Sequence, residues 1–451
     1  MTEVDTLIKH AYVVTVNAGG EEYADGAVAV SGNAIVAVGA TSELEKHFAA
    51  ADVIDASGHM VTPGFINVHS HAVLTVLRGV SEDQGATSLY NLLFPLKLLW
   101  NDERLYAMGM CGVLENMMLG TTTLMDNYNR AMAIAPAAAA SGIRCVIAEN
   151  IMDADTSRIR DGDWCYDDAI GDVAYDNAVQ LIEQWHGAAD GRVTCMVGAL
   201  AADLCSPKAL TRVRELAEEH SLMVTYHCCQ TLHELKQIRD LYNMTPVEYM
   251  SEHGLVGPHV LAAHCVYVAP SDIELLGSTK SNLAHNPAIN AKRGKSAPLS
   301  ELREAGMNVG IGTDNMHGNI VEAMKMAVHI GRVRTGEGTF LQAREVMRMA
   351  TADAARAIGR EGDLGSLEVG KLADLLVIDL RQPHLFPITD PVVSFIHNGL
   401  GTDVRHVMID GRFTVRDRQP LFVDRDAVLG NAQAHADAIW SELPGVLNRG
   451  G

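Results

Sequence analysis

Along the middle of the chain, short apolar runs alternate with helix-like stretches. The runs cover 63–71 (PGFINVHSH), 121–127 (TTTLMDN), 144–150 (RCVIAEN), 193–200 (VTCMVGAL), 223–229 (MVTYHCC), 259–266 (HVLAAHCV), 280–287 (KSNLAHNP) and 307–315 (MNVGIGTDN). Segments such as 206–221 and 300–306 separate them and read as helices. Strand–helix alternation at this spacing predicts parallel βα units. Eight such strands predict closure into a (β/α)8 TIM-like barrel, an α/β fold, in preference to an open doubly wound sheet. No GxGxxG follows an early strand, and the glycine pair in GIGTD (310–314) reads as a strand end rather than a phosphate cradle.

The two ends carry a different pattern. Residues 1–60 and 364–425 read as short strands broken by hairpin-like turns such as SGN and DGR. They are expected to pair into one small β-sandwich beside a catalytic barrel spanning 61–363, with 426–451 as a C-terminal helical tail. The length of 451 residues suits this division, a barrel of about 250–350 residues plus a smaller module.

Charge and cysteine usage narrow the function classes. With 35 basic and 56 acidic residues the net charge is −21, so the surface repels nucleic acid and anionic membranes, and neither is expected as a partner. The N-terminus lacks a basic start followed by a long apolar run, and no run reaches membrane-spanning length. A cytoplasmic protein is expected. The eight cysteines, at 111, 145, 165, 195, 205, 228, 229 and 265, include no CxxC pair and read as reduced core thiols.

The chemistry is concentrated at strand ends. His69 and His71 flank Ser70 at the end of the first run, and two residues apart on a strand they face the same way. His227 and His264 end the fifth and sixth runs, and Asp314 the last. Barrel enzymes place catalytic groups at this rim, and imidazole and carboxylate are ligands that zinc, iron and cobalt accept. A buried Asp among imidazoles is costly unless a cation compensates. The fourth run contains no Lys that could bridge a second metal, so one ion is expected, holding a water as hydroxide. His264 is then placed to hold or deprotonate that water, and Asp314 to take its proton.

The segments PGFINVHSH, LRGV (77–80), GTTTLMDN (120–127), LAAHCVY (261–267), HNPAIN (285–290), GIGTDN and GSLEVGKLADLLVIDL (365–380) resemble, in order, the landmarks of the amidohydrolase superfamily. The nearest branch resembles the one holding atrazine chlorohydrolase, melamine deaminase and the methylthioadenosine/S-adenosylhomocysteine deaminases. The resemblance implies one divalent metal, zinc first with iron(II) or cobalt(II) as alternatives, on His69, His71, His227 and Asp314. It implies that His264 hydrogen-bonds the water or substrate, and it makes a homo-oligomer a reasonable expectation.

One position departs from that branch. Its deaminases carry HxxE after the fifth strand, whereas this chain has His227-Cys228-Cys229-Gln230. A Gln side chain cannot carry a proton at neutral pH. The departure favours metal-bound hydroxide cleaving a C–N bond of amide, urea or carbamate type in a small, largely neutral molecule, with phenylurea and thiocarbamate hydrolases as analogues. Hydrolytic deamination or dechlorination of a triazine, purine or pyrimidine is the alternative. Gln230, His285, Asn290 and His317 are the expected substrate contacts. Lys292, Arg293 and Lys295 leave room for one anionic group, and Tyr90, Leu93, Phe94 and Trp100 are read as core at helical spacing or as an apolar wall.

Overall fold

The computed structural model describes residues 1–87, 92–159 and 164–447. Eight parallel strands run in chain order around one barrel: Phe65–Ser70, Thr121–Tyr128, Arg144–Ile151, Val197–Ala201, Val224–Cys228, Val260–His264, Asn282–His285 and Asn308–Ile311. Each pairs in parallel with the next. A parallel bridge between Ser70 and Asp314 joins the last strand to the first and closes the ring. The 193–200 run divides at Met196: Val193–Cys195 pairs with the third strand, and Val197–Ala201 continues as the fourth.

Helices follow the strands because parallel neighbours need a crossover. The helix expected over 206–221 forms as Pro207–His220. Ser206 caps it by accepting the Ala209 amide at 3.2 Å, and proline fills the first turn, where no amide is needed.

Burial separates two apolar layers. Val224, Tyr226 and Cys228, or Val260 and Ala262, face outward onto helices, in one large cluster. Ile66, Val68, Met125, Val146, Ala148, Leu261, Ala263 and Ala284 face inward and pack against Ala354, Ala355, Ala357 and Ile358, which plug one end of the barrel. Each fully buried Val, Leu or Ile here contributes roughly 1.5–3 kcal/mol.

The chain ends meet in one continuous nine-stranded mixed sheet. The 13-residue strand Thr2–Val14 is long enough to take Glu22–Ser31 antiparallel on one side, and Phe48–Asp55 and His59–Pro63 in parallel on the other. His59–Pro63 then pairs with Leu375–Asp379, which carries Val404–Ile409 and Arg412–Arg416. The turn at DGR has Asp410 and Gly411 both at positive φ (53° and 73°), which suits a two-residue hairpin. A Cβ on Gly411 would stand 1.9 Å from the Gly32 carbonyl oxygen in the SGN turn, so the two hairpin tips touch only because glycine is there.

A buried charge cluster joins sheet to barrel. Arg144, first in the third barrel strand, donates to both Asp374 oxygens at 2.8 and 3.0 Å and to Asp410 at 3.3 Å. The final helix, Arg425–Leu447, packs on Asp102–Met118 through Ile439 and Leu443, with Arg104 forking onto Glu442 at 2.6 and 3.0 Å. Among the described residues no helix is long and apolar enough to cross a membrane, and none of the eight cysteines forms a disulfide, six of them being buried.

Candidate metal centre

Five side chains expected from the strand ends meet at one rim of the barrel. The ring centroids of His69, His71 and His227 lie 4.8, 5.0 and 5.2 Å apart. The Asp314 carboxylate approaches His71 Nε2 at 3.2 Å, His69 Nε2 at 3.7 Å and His264 Nε2 at 4.0 Å. All five residues are buried.

Simple strand alternation accounts for only part of this convergence. His227 faces inward because its neighbours Tyr226 and Cys228 face the helices. His69 and His264 would face outward by the same rule, since Val68 and Ala263 already face in. A register shift opposite Leu124–Asp126, where Asn67 to Ser70 spans one residue more than its partner strand, turns His69 inward. His264 turns through a positive φ of 76°. His71 lies just beyond its strand, at the head of the turn Ala72–Leu77, and Asp314 lies three residues past Ile311 with φ 65°. Left-handed backbone at Cys229, His264, Cys265, Asp314 and Met316 concentrates strain at this rim, as functional sites commonly do. Gly312 has a packing role: a Cβ there would lie 2.2 Å from Asn286 Oδ1 and 2.9 Å from His69 Cβ.

Hydrogen bonds fix the tautomers. His71 Nδ1 lies 2.5 Å from the Asn127 carbonyl oxygen and His227 Nδ1 2.6 Å from that of Leu200. A carbonyl only accepts, so both Nδ1 atoms carry hydrogen, and in the neutral rings that a metal requires both Nε2 atoms present lone pairs. Those two bare nitrogens face each other at 3.2 Å. Lone pairs so placed repel unless a cation lies between them. Zinc ligands at ~2.0–2.1 Å in a tetrahedron stand roughly 3.3 Å apart, so the spacing fits a shared ion. Among the described residues, both ring nitrogens of His69, Nε2 of His264 and Oδ2 of Asp314 are buried with no hydrogen-bond partner. Two overlapping groups able to hold an ion result: His69, His71 and His227, and His69, His264 and Asp314.

Burial and the neighbouring imidazoles push His227 down to about 3, and burial pulls His264 to about 4. His71 moves the other way: burial opposes its charge, but the Asp314 carboxylate outweighs burial and raises it. Burial also opposes the charge of Asp314, yet the adjacent histidines hold its carboxyl well below the usual range. The site therefore favours an anionic Asp beside mostly neutral imidazoles, the protonation a divalent ion requires of its ligands.

The centre opens onto a cleft whose walls include His71, His227, Asp314, Phe94, Tyr128 and Trp164. Of the four expected substrate contacts, Gln230 lines this cleft, whereas His285, Asn290 and His317 do not line it. Asn290 stands behind His264, its Oδ1 3.3 Å from Nδ1. His285 is buried, pushed down to about 3 by burial and by His264. His317 Nδ1 accepts the Asn319 amide at 3.3 Å. Leu93 and Phe94 line the cleft, Trp100 is core and donates to the Tyr128 hydroxyl at 3.1 Å, and Tyr90 lies outside the described residues. Arg293 also reaches the cleft, 3.9 Å from Asp314, while Lys295 is engaged by the Gln230 carbonyl at 3.2 Å.

Among the cleft residues that were not anticipated are three with charge-bearing side chains: Lys97, Asp203 and Glu234. Glu234, in the first turn of Leu232–Tyr242, accepts the Cys229 and Gln230 amides at 2.9 and 2.8 Å and so pins the strand–helix junction. Asp203 follows the fourth strand, is 5% exposed, and burial raises its carboxyl. The signals were a carboxyl shortly after a barrel strand (ALAADLC) and a lone cation inside an apolar run (FPLKLLW).

Residues 60–414 match the family model described as "Amidohydrolase family". A 5-methylthioadenosine/S-adenosylhomocysteine deaminase of Pelotomaculum thermopropionicum is 34% identical over 436 residues, covering 95% of this chain and 98% of the relative. A 5'-deoxyadenosine deaminase of Methanosarcina acetivorans is 33% identical, covering 96% and 98%. Among solved structures, an adenosine deaminase from Xanthomonas campestris with bound zinc has a TM-score of 0.90 at 27% identity, covering 97% of this chain and 99% of that one. The atrazine chlorohydrolase of Arthrobacter aurescens complexed with zinc has a TM-score of 0.85 at 25% identity, covering 96% and 100%.

Proposed function

The chain belongs to the amidohydrolase family, a hydrolase acting on carbon–nitrogen bonds, and on that premise we propose that it removes an exocyclic amine from a small aromatic heterocycle. The observation that carries this reading is one cleft shared by the His/Asp centre, a wall of Phe94, Tyr128 and Trp164, and the buried carboxyl of Asp203. Relatives named as adenine-nucleoside deaminases along nearly the whole chain support it.

In this reading His69, His71, His227 and Asp314 hold one divalent ion. Zinc is the first candidate because solved neighbours carry it. Such an ion, when bound, lowers the pKa of a water to about 7 and so supplies hydroxide at neutral pH. Asp314 Oδ2, without a hydrogen-bond partner among the described residues, accepts the proton from the attacking water and returns it to the departing amine, which leaves as ammonia. His264, oriented by Asn290 at 3.3 Å, turns Nε2 toward the centre to steady the water or the charge growing on the substrate. Asp203 supplies the proton that Gln230 cannot, since burial favours its acid form.

Gln230 favours a second reading, hydrolysis of an amide, urea or carbamate, in which no ring nitrogen needs a proton. A panel of aminated purines, pyrimidines and triazines beside ureas, amides and carbamates, with metal content measured on the same sample, separates the two. Ammonia release from the heterocycles is the expected result. Turnover confined to ureas or amides would transfer the assignment to the second reading, and undiminished turnover in metal-free protein would overturn both.

A further inference from the structure

Among the described residues, Lys97 presents a cleft-facing ammonium with no anion paired to it. It follows the apolar turn Phe94–Leu96 and lines the same cleft as the His/Asp centre. Its nearest partners are the Met152 sulfur at 3.7 Å and the face of Phe94, 5.1 Å from Nζ to the ring centroid. A thioether is a weak acceptor and an ammonium has three donors, so most of its hydrogen-bonding capacity is unused. Three other cations around the site are engaged: Arg78 with Glu115 at 2.6 Å, Lys295 with the Gln230 carbonyl at 3.2 Å, and Arg293 with Asp314 at 3.9 Å.

The acid facing Lys97 is committed elsewhere. Glu149 on the third barrel strand accepts the Arg130 and Ala131 amides at 2.8 and 2.7 Å. Burial consequently lowers Lys97 to about 8, with Glu149 only partly opposing. A desolvated cation is costly without a counter-charge, and the rest of the surface, at net −21, offers anions no general attraction. An anion drawn to this molecule is therefore recognised at a particular cation.

We propose that Lys97 is a specificity-determining residue that binds an anionic oxygen of the substrate, either a carboxylate or an ionised ring hydroxyl, while the substrate's C–N bond lies at the His/Asp centre. The proposal rests on the functional reading above and sharpens it: the substrate is a mono-anion, not a neutral molecule. Leu93 and Phe94 beside the ammonium receive the apolar body that carries the charge.

The test uses zinc-loaded full-length protein and calorimetric titration with two anionic probes and their neutral counterparts. Barbiturate against uracil represents the ionised ring oxygen, and benzoate against benzamide the carboxylate. At pH 7 at least one anion should bind roughly tenfold more tightly than its counterpart, as a charge-assisted hydrogen bond provides. Which pair shows the preference identifies the source of the oxygen. Lys97→Met should abolish the preference with zinc content unchanged, and Lys97→Arg should restore part of it. Lys97→Gln serves if the Met variant does not fold. In the wild type the preference should fade as pH rises through about 8, when the ammonium is lost. The other titratable groups among the described residues of this cleft are His71, Tyr128, Asp203, His227, Glu234, Arg293 and Asp314, and titration of any of them would leave the Lys97→Met profile pH-dependent. No anion preference in the wild type, or one that persists in zinc-loaded Lys97→Met, overturns the proposal. C–N hydrolysis is assayed on the same samples. Retained hydrolysis without anion preference refutes the Lys97 assignment alone, and anion preference without hydrolysis refutes the functional reading alone.

Discussion

Two of the buried charged clusters in this molecule are finished to different degrees. Arg144, Asp374 and Asp410 satisfy one another where the barrel meets the terminal sheet, with bonds of 2.8, 3.0 and 3.3 Å and a further bond from the Asp410 amide to Asp374 at 2.8 Å. At the opposite rim, His69, His264 and Asp314 keep bare polar atoms in the interior, and two imidazole nitrogens face each other at 3.2 Å. Buried polar groups are normally paired, and leaving one unpaired costs about 1–3 kcal/mol. The first cluster is complete as a structural joint. The second is complete only with an ion and a substrate. Full satisfaction marks architecture here, and systematic incompleteness marks chemistry.

The sharpest way to break this contrast is metal removal. Chelation, or His227→Ala, should lower C–N hydrolysis by on the order of a thousandfold or more, because several kcal/mol of charge stabilisation disappear. Metal analysis and steady-state rates on the same samples check it, and the Arg144 cluster should be unaffected.

The converse test strikes the finished cluster. Arg144→Met leaves Asp374 buried without its partner and should cost about 3–5 kcal/mol of stability, seen as a lower thermal midpoint with metal content intact. Adding Asp374→Leu should recover much of that loss, because a buried pair replaced as a unit leaves no orphan charge. Arg144→Met that loses metal but not stability would reverse the roles assigned to the two clusters.

A smaller effect sharpens the boundary of the incomplete site. Asp203→Asn should slow heterocycle deamination roughly a hundredfold while sparing any urea or amide turnover. Burial raises the Asp203 carboxyl, so its acid form persists to higher pH than usual, and wild-type deamination should fall as pH rises through that raised value. The Asn variant should lack this limb of the pH–rate profile. Gln230→Glu, which restores a carboxyl to the cleft wall, should raise deamination by a smaller factor, on the order of tenfold.

How much of this was legible beforehand differs from residue to residue. The barrel strands could be read because strands covered on both sides by packing are apolar throughout, and the capped start of Pro207–His220 because Ser206-Pro207 suits a first helical turn. The five centre residues were visible as His or Asp at strand ends. Lys97 was hidden because a single Lys in FPLKLLW reads as a solvated break in a helix, and only packing against Met152 and Phe94 shows it desolvated. Asp203 was hidden because an Asp in a loop is ordinarily exposed. His285, prominent in sequence, is buried away from the cleft, and His317 is engaged instead by the Asn319 amide.

The order of strands, the chemical identity of the ligand set and the absence of a carboxyl at position 230 are properties of the sequence alone, because periodicity and residue type are local. Which way the side chains turn was decided by tertiary structure. His69 reaches the centre through a register shift against the neighbouring strand, and His264 through a left-handed backbone that the surrounding barrel must enforce. Strain of that kind is held by contacts distant in the chain. No local pattern of residues encodes it.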